Sequence, residues 1–81
     1  MKELVSFIVE SLVDYPEEVQ VVEVRGKTST VIELAVADSD MGRIIGKGGR
    51  VINAIRALTD VLAVKQGKRV SLELLAASEL R

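Results

Sequence analysis

Between residues 2 and 14 apolar side chains return at helical spacing. Leu4, Val5, Ile8, Leu12 and Tyr15 fall on one arc, and Glu3, Ser6, Glu10 and Asp14 fall on the other side. The pattern predicts a helix, which Pro16 ends. The period then changes. "VQVVEVRG" and "STVIELAVA" are rich in β-branched residues and are separated by Gly26-Lys27-Thr28-Ser29, so they read as a hairpin. In the second strand Thr30, Ile32, Leu34 and Val36 alternate with Val31, Glu33, Ala35 and Ala37, which marks one face for burial.

"DSD", residues 38–40, supplies N-cap chemistry: Ser39 or Asp40 is expected to accept from the first amides of a short helix, Met41 to Ile45. Glycines interrupt at residues 46, 48 and 49. The helical period resumes from Arg50 to Val64, with Val51, Ile55, Leu58 and Leu62 as a stripe and Ile52 beside it, until Gly67 marks a stop. Residues 68–75 alternate once more, Val70, Leu72 and Leu74 against Ser71 and Glu73. The order is α-β-β-α-α-β without an internal repeat. It predicts an α+β fold in which three helices pack on one face of a three-stranded sheet.

A chain of 81 residues is a single domain, 1–81, near the lower limit of what folds alone, and a homodimer is expected on that ground. A hydrophobic share of 48% and a single proline place it among compact chains rather than disordered ones. The sequence holds neither cysteine nor histidine, which removes disulfides, the usual zinc ligand sets, thiol nucleophiles and imidazole bases together. No catalytic residue, metal or cofactor is expected, and an enzyme is the weakest class. Glu3, Glu10 and Asp14 break the apolar character of the first helix and no small-residue cleavage site follows, so the expectation is a cytoplasmic protein away from membranes.

The net charge of -1 conceals a sorting along the chain. Residues 1–40 carry nine acids and three bases; residues 41–81 carry eight bases and three acids. Between Met41 and Arg69 seven bases face only Asp60. Such a local field draws polyanions, although on charge alone a plain solvated surface accounts for it equally well.

The stretch "MGRIIGKGGRVINAI", residues 41–55, changes that balance. It holds four of the six glycines among isoleucines and cations. One glycine would satisfy a tight turn; three in four residues also remove the side chains that keep another backbone away. Amides at the start of a helix are thereby bared, where the helix dipole adds about half a positive charge. Arg43, Lys47 and Arg50 surround them as an anion cradle. A Walker A loop does not fit, because Gly42 to Gly46 encloses three residues rather than four and Gly48 follows Lys47. A dinucleotide fingerprint fails at Val51, where it needs glycine. A DNA-reading helix-turn-helix remains an alternative, though the outward side chains of its second helix would include Ala54, Ala57, Val61 and Val64, poor readers of base edges. A protein-docking module is the other.

"IIGKGGRVI", residues 44–52, resembles the (I/V)-I-G-x-x-G-x-x-I signature of the KH domain, a single-stranded nucleic-acid module whose GxxG loop grips backbone nucleotides. The element order is similar to the type II, bacterial arrangement, and the resemblance to small stand-alone bacterial KH proteins runs over essentially the whole chain. It implies a cytoplasmic RNA-binding protein and RNA chaperone, acting as a homodimer or with a larger KH partner and linked to cell-wall synthesis and cell length. It also implies that Gly46, Lys47, Gly48 and Gly49 clamp the backbone and that Ile45 and Ile52 form an apolar floor for bases. The variable loop would correspond to residues 26–29, with Lys27 as a far-side contact.

Neither aromatic, Phe7 or Tyr15, stands near the loop. Stacking is therefore scarce, and binding is expected to rest on phosphate contacts, with low sequence specificity and micromolar affinity or weaker, about -8 kcal/mol at best. Ala54, Ala57, Val61 and Val64 form a small-residue stripe with no role inside one domain, and we expect them to form a self-association face.

Overall fold

The computed structural model describes residues 1–79. Its elements are helix α1 (Lys2–Leu12), strands β1 (Gln20–Arg25) and β2 (Ser29–Val36), helices α2 (Met41–Ile45) and α3 (Arg50–Gln66), and strand β3 (Arg69–Ala76), with short 3-10 turns between them and at Ala77–Glu79. The α-β-β-α-α-β order read from the pattern is the order of the fold, and the arrangement is that of a type II KH domain. The sheet order is β1-β2-β3. β1 runs antiparallel to β2, with Val24 opposite Val31, and β3 runs parallel to β2, with Leu72 beside Ile32. A parallel neighbour requires the chain to cross back over the sheet, and α2 with α3 is that crossover.

The face of β2 read for burial is buried, but the alternation holds only as far as Leu34, since Ala35 and, just past the strand, Ala37 are buried too, at 1% and 4% exposed. Thr30, Ile32, Leu34 and Val36 are at most 3% exposed and meet Val21, Ile44, Ile52, Ile55 and Leu72 from the neighbouring elements. The opposite sheet face carries no helix, which leaves Val22 and Val24 open.

Two helical arcs differ from the sequence reading. In α1 the buried residues are Val5 and Val9, in a row with Met1 and Val13 at every fourth position, while Leu4, Leu12 and Tyr15 are exposed. The helix stops at Leu12 because Val13 turns extended, so Tyr15 lies beyond the helical line altogether. In α3 the buried line is Ile52, Ile55, Thr59 and Ala63, and Leu58 is 50% exposed. Thr59 tolerates burial because its hydroxyl donates to the Arg56 carbonyl at 2.9 Å, and Ala63 lets the helix lie close to the sheet. The Gly67 amide donates to the Val64 carbonyl and the Lys68 amide to the Ala63 carbonyl, the crossed pair that closes a helix C-terminus.

The expected N-cap of α2 is absent. Asp40 is 1% exposed and turns inward, where its Oδ1 accepts from the Asp14 amide and its Oδ2 from the Tyr15 amide, both at 3.1 Å. A buried carboxylate needs donors around it, and two orphan amides just past α1 supply them. Asp40 therefore fastens the end of α1 to the start of α2.

Candidate nucleic-acid interface

The glycine stretch folds as two helices joined by one tight turn. The Gly46 amide closes α2 on the Gly42 carbonyl at 2.9 Å, and the Gly49 amide donates to the Gly46 carbonyl at 3.1 Å. Gly46 adopts φ 76 and Gly48 φ 64, both in the region that L side chains avoid. The two positions differ in what surrounds them. A Cβ at Gly46 would lie 2.5 Å from Val51 Cγ2 and 2.8 Å from the Val51 nitrogen, so the first glycine is required by packing. A Cβ at Gly48 would meet nothing within 4 Å. Packing does not require that glycine; it leaves open space over the turn, and another backbone can approach there.

No side chain caps the N-terminus of α3. Its first-turn amides therefore lack the oxygen acceptor that a Ser, Thr, Asp or Asn cap would give them, while the dipole of a 17-residue helix converges on the same end. Lys47 and Arg50 are exposed at this turn, and among the described residues neither has an acidic partner within salt-bridge distance. The arrangement gathers backbone donors and two cations, neither with an acidic partner among the described residues, at one end of α3.

The remaining sequence-read residues separate. Arg43 is not free: its Nη2 donates to Asp14 Oδ2 at 3.1 Å, with both side chains more than half exposed. Ile45 is 39% exposed and offers apolar surface beside the loop, whereas Ile44 is fully buried and Ile52 is 6% exposed within the core. Of the two floor residues only Ile45 presents surface to a ligand, because the helical turn that exposes residue 50 points residue 52 at the sheet. Lys27 sits at the other end of α3, about 25 Å from the loop along the helix. There the Arg69 amide donates to the Thr28 carbonyl at 3.0 Å and brings Lys68 and Arg69 beside the β1-β2 turn.

Arg56 was not singled out from the sequence. Its Nη2 donates to the Leu72 carbonyl at 3.3 Å and ties α3 to the edge strand β3. A partner 16 residues further along the chain leaves no local signal. The shallow depression lined by Tyr15, Glu18, Ala37, Asp38, Ser39, Ala77 and Ser78 lies away from the glycine turn, and its charged groups are acidic. Among the described residues, no cluster of acids is placed to hold a metal ion and no helix is long and apolar enough to cross a membrane.

The family description "KhpA/KhpB, KH domain" matches residues 2–74. The chain belongs to the KhpA/KhpB KH-domain family. Relatives of this family include the RNA-binding protein KhpA of Clostridium acetobutylicum, 52% identical over 93% of this chain and 100% of its own length. The RNA-binding protein KhpA of Chlamydia pneumoniae is 49% identical over 93% of this chain and 96% of its own. That of Borreliella burgdorferi is 49% identical over 90% and 89%. The comparison with solved structures gives no significant match. The KhpA/KhpB match covers the glycine turn and the two helices that flank it along with nearly all of the rest of the fold.

Proposed function

We propose that this chain is a cytoplasmic, non-enzymatic RNA-binding protein that grips the backbone of single-stranded RNA at Gly46-Lys47-Gly48-Gly49. The observation that carries the reading is the open space over Gly48, next to an uncapped helix N-terminus and two cations without an acidic partner among the described residues. Membership of a family whose named relatives are RNA-binding proteins supports it. Lys47 and Arg50 take the phosphates, and Ile45 supplies apolar contact to a base. Arg43 joins only if phosphate displaces the Asp14 carboxylate, a small penalty for an exposed pair worth about 0–1 kcal/mol. Lys27, across the length of α3, meets the far end of the strand. With no aromatic at the loop, discrimination among sequences is weak and affinity falls steeply with salt.

The test replaces Lys47 and Gly48 with Asp. The substituted positions face solvent, and aspartate is among the residues that best tolerate φ > 0, so the variant is expected to melt cooperatively. Retention of a short oligouridine in a gel-shift assay is expected to fall by at least about tenfold at low salt. Unchanged retention by a folded variant overturns the proposal. The helix-turn-helix alternative predicts preference for duplex DNA over oligouridine in the same assay.

The resemblance extends the reading to an RNA chaperone, linked to cell-wall synthesis and cell length, that works as a homodimer or with a larger KH protein of the KhpB type. For the homodimer the surface is α3. Ala54 and Ala57 are exposed, Val61 is 60% and Val64 80% exposed, and the exposed Leu58 adds to the same apolar strip. Small side chains let two such helices approach closely, and an isologous pairing closes on itself. Val61→Asp is expected to convert a dimer to a monomer in sedimentation without loss of fold. If the assembly state is unaltered, α3 is not the contact.

A further inference from the structure

The first helix has a second side that neither the core nor the RNA reading uses. Phe7 is 71% exposed, the most exposed of the chain's two aromatics, and Leu4 one turn earlier is 37% exposed. Phe7 stands in a helical row with Glu3, four residues before it, and Glu10, three residues after it, and Asp14 continues the spacing just past the helix end. Residues 1–24 hold six acids and a single base, Lys2. An isolated exposed apolar side chain is ordinary, but an aromatic with a carboxylate one turn before it and another one turn after it, and Leu4 beside it, is a more specific chemical surface. Phe, Tyr and Trp are the residue types around which protein interfaces concentrate their energy.

We propose that the outward row Glu3-Phe7-Glu10 of α1, with Leu4 beside it, docks a helical segment of a different protein, one that sets an apolar stripe on Phe7 and Leu4 and lysines or arginines against the glutamates. Charge complementarity selects this occupant. The carboxylates repel nucleic acid and anionic lipid headgroups alike. A second copy of the same chain meets the row only with its basic half, since its own α1 repeats the same negative charge. That contact joins unlike surfaces, forms rings or open chains of copies rather than a two-fold pair, and occupies basic surface that the RNA reading assigns to phosphate. A cationic amphipathic helix from another protein satisfies the row without either consequence. Because the row lies on α1 and the anion site at the α2-α3 turn, partner and RNA are held at separate places on the chain.

The probe is a synthetic peptide of about 18 residues, some five turns, with leucine on one face and lysine on the other, and a counterpart with glutamate for lysine. Titrated into the isotope-labelled full chain, the leucine-lysine peptide is expected to shift the amides of residues 3–14, and the leucine-glutamate peptide to leave them in place. Phe7→Ser and Glu10→Lys, both at exposed positions, are each expected to weaken the leucine-lysine peptide by at least about tenfold while keeping the melting temperature and oligouridine retention of the parent. Equal affinity of the parent and Phe7→Ser overturns the proposal, as do shifts centred on α3 or on the open sheet face, or equal binding of the acidic peptide. The RNA reading stands or falls separately, on the Lys47 and Gly48 variant.

Discussion

Gly46→Ala is expected to lower the melting temperature by roughly 10 °C or more, the largest loss from a methyl added at any glycine of this chain. Two terms add. An L side chain at φ 76 and ψ 171, a region almost only glycine occupies, costs about 1–3 kcal/mol. The new Cβ also falls 2.5 Å from Val51 Cγ2 and 2.8 Å from the Val51 nitrogen, and overpacking of that kind costs about 1–3 kcal/mol. A domain of this size has only a narrow margin of stability, so the sum is a large share of the whole. Gly48→Ala is the internal control. It carries the φ term alone, because its Cβ meets nothing within 4 Å. The two melts, followed by circular dichroism, should therefore differ by the packing term together with the greater backbone penalty at Gly46, whose ψ of 171 lies outside the left-handed well that Gly48 occupies at ψ 19. Adding Val51→Ala to Gly46→Ala removes the Cγ2 clash but not the backbone one, so rescue should be partial. Equal melts for Gly46→Ala and Gly48→Ala would show that the turn and Val51 relax around the added methyl and that packing does not require the first glycine.

Asp40→Ala is expected to destabilise the domain by roughly 3 kcal/mol, since hydrogen bonds to a charged group are worth about 1.5–3 kcal/mol each and two amides are left without their acceptor. Asp40 is 1% exposed, and the amides of Asp14 and Tyr15 have no other acceptor among the backbone and side-chain bonds of the described residues. Asp40→Asn separates charge from shape. One oxygen can still accept, but the amide nitrogen that replaces the other faces an N–H, so about half the loss should appear. Hydrogen exchange at residues 14 and 15 should quicken in both variants before exchange in β2 does, because the carboxylate holds the α1-α2 junction and not the sheet. If both variants unfold at the denaturant concentration of the parent, the clamp contributes nothing and the junction is held by packing of Val13 and Met41 alone.

The residues that the sequence made conspicuous and those the structure employs overlap most at the glycine turn. Its meaning is local. Glycine spacing, the cations among the glycines and the return of the helical period after them are all contained within a dozen residues, and the backbone angles of a tight turn are dictated by those same residues. Arg43 is the exception within the motif. It reads as a cradle cation until Asp14 is seen beside it, and that carboxylate is 29 residues earlier in the chain. Asp40 shows the same effect in reverse. An acid before a helix is expected to cap it, and this one abandons the cap for two amides 25 and 26 residues away that only tertiary contact brings near.

The order of elements, the face of β2 that is buried, the stop at Gly67 and the bared backbone at Gly48 were determined by the sequence alone, because each depends on side-chain periods or backbone angles set within a few residues. Which arc of α1 and α3 meets the sheet was decided by the tertiary structure. A helix rotated by one residue moves its buried line by about 100°, and several apolar arcs are open to α1 and α3 until the crossing on the sheet selects one. That selection buries Val9 and Thr59 and leaves Leu58 and Phe7 in solvent. It also divides the isoleucines of the motif, sending Ile44 and Ile52 into the core and leaving Ile45 at the surface beside the glycine turn.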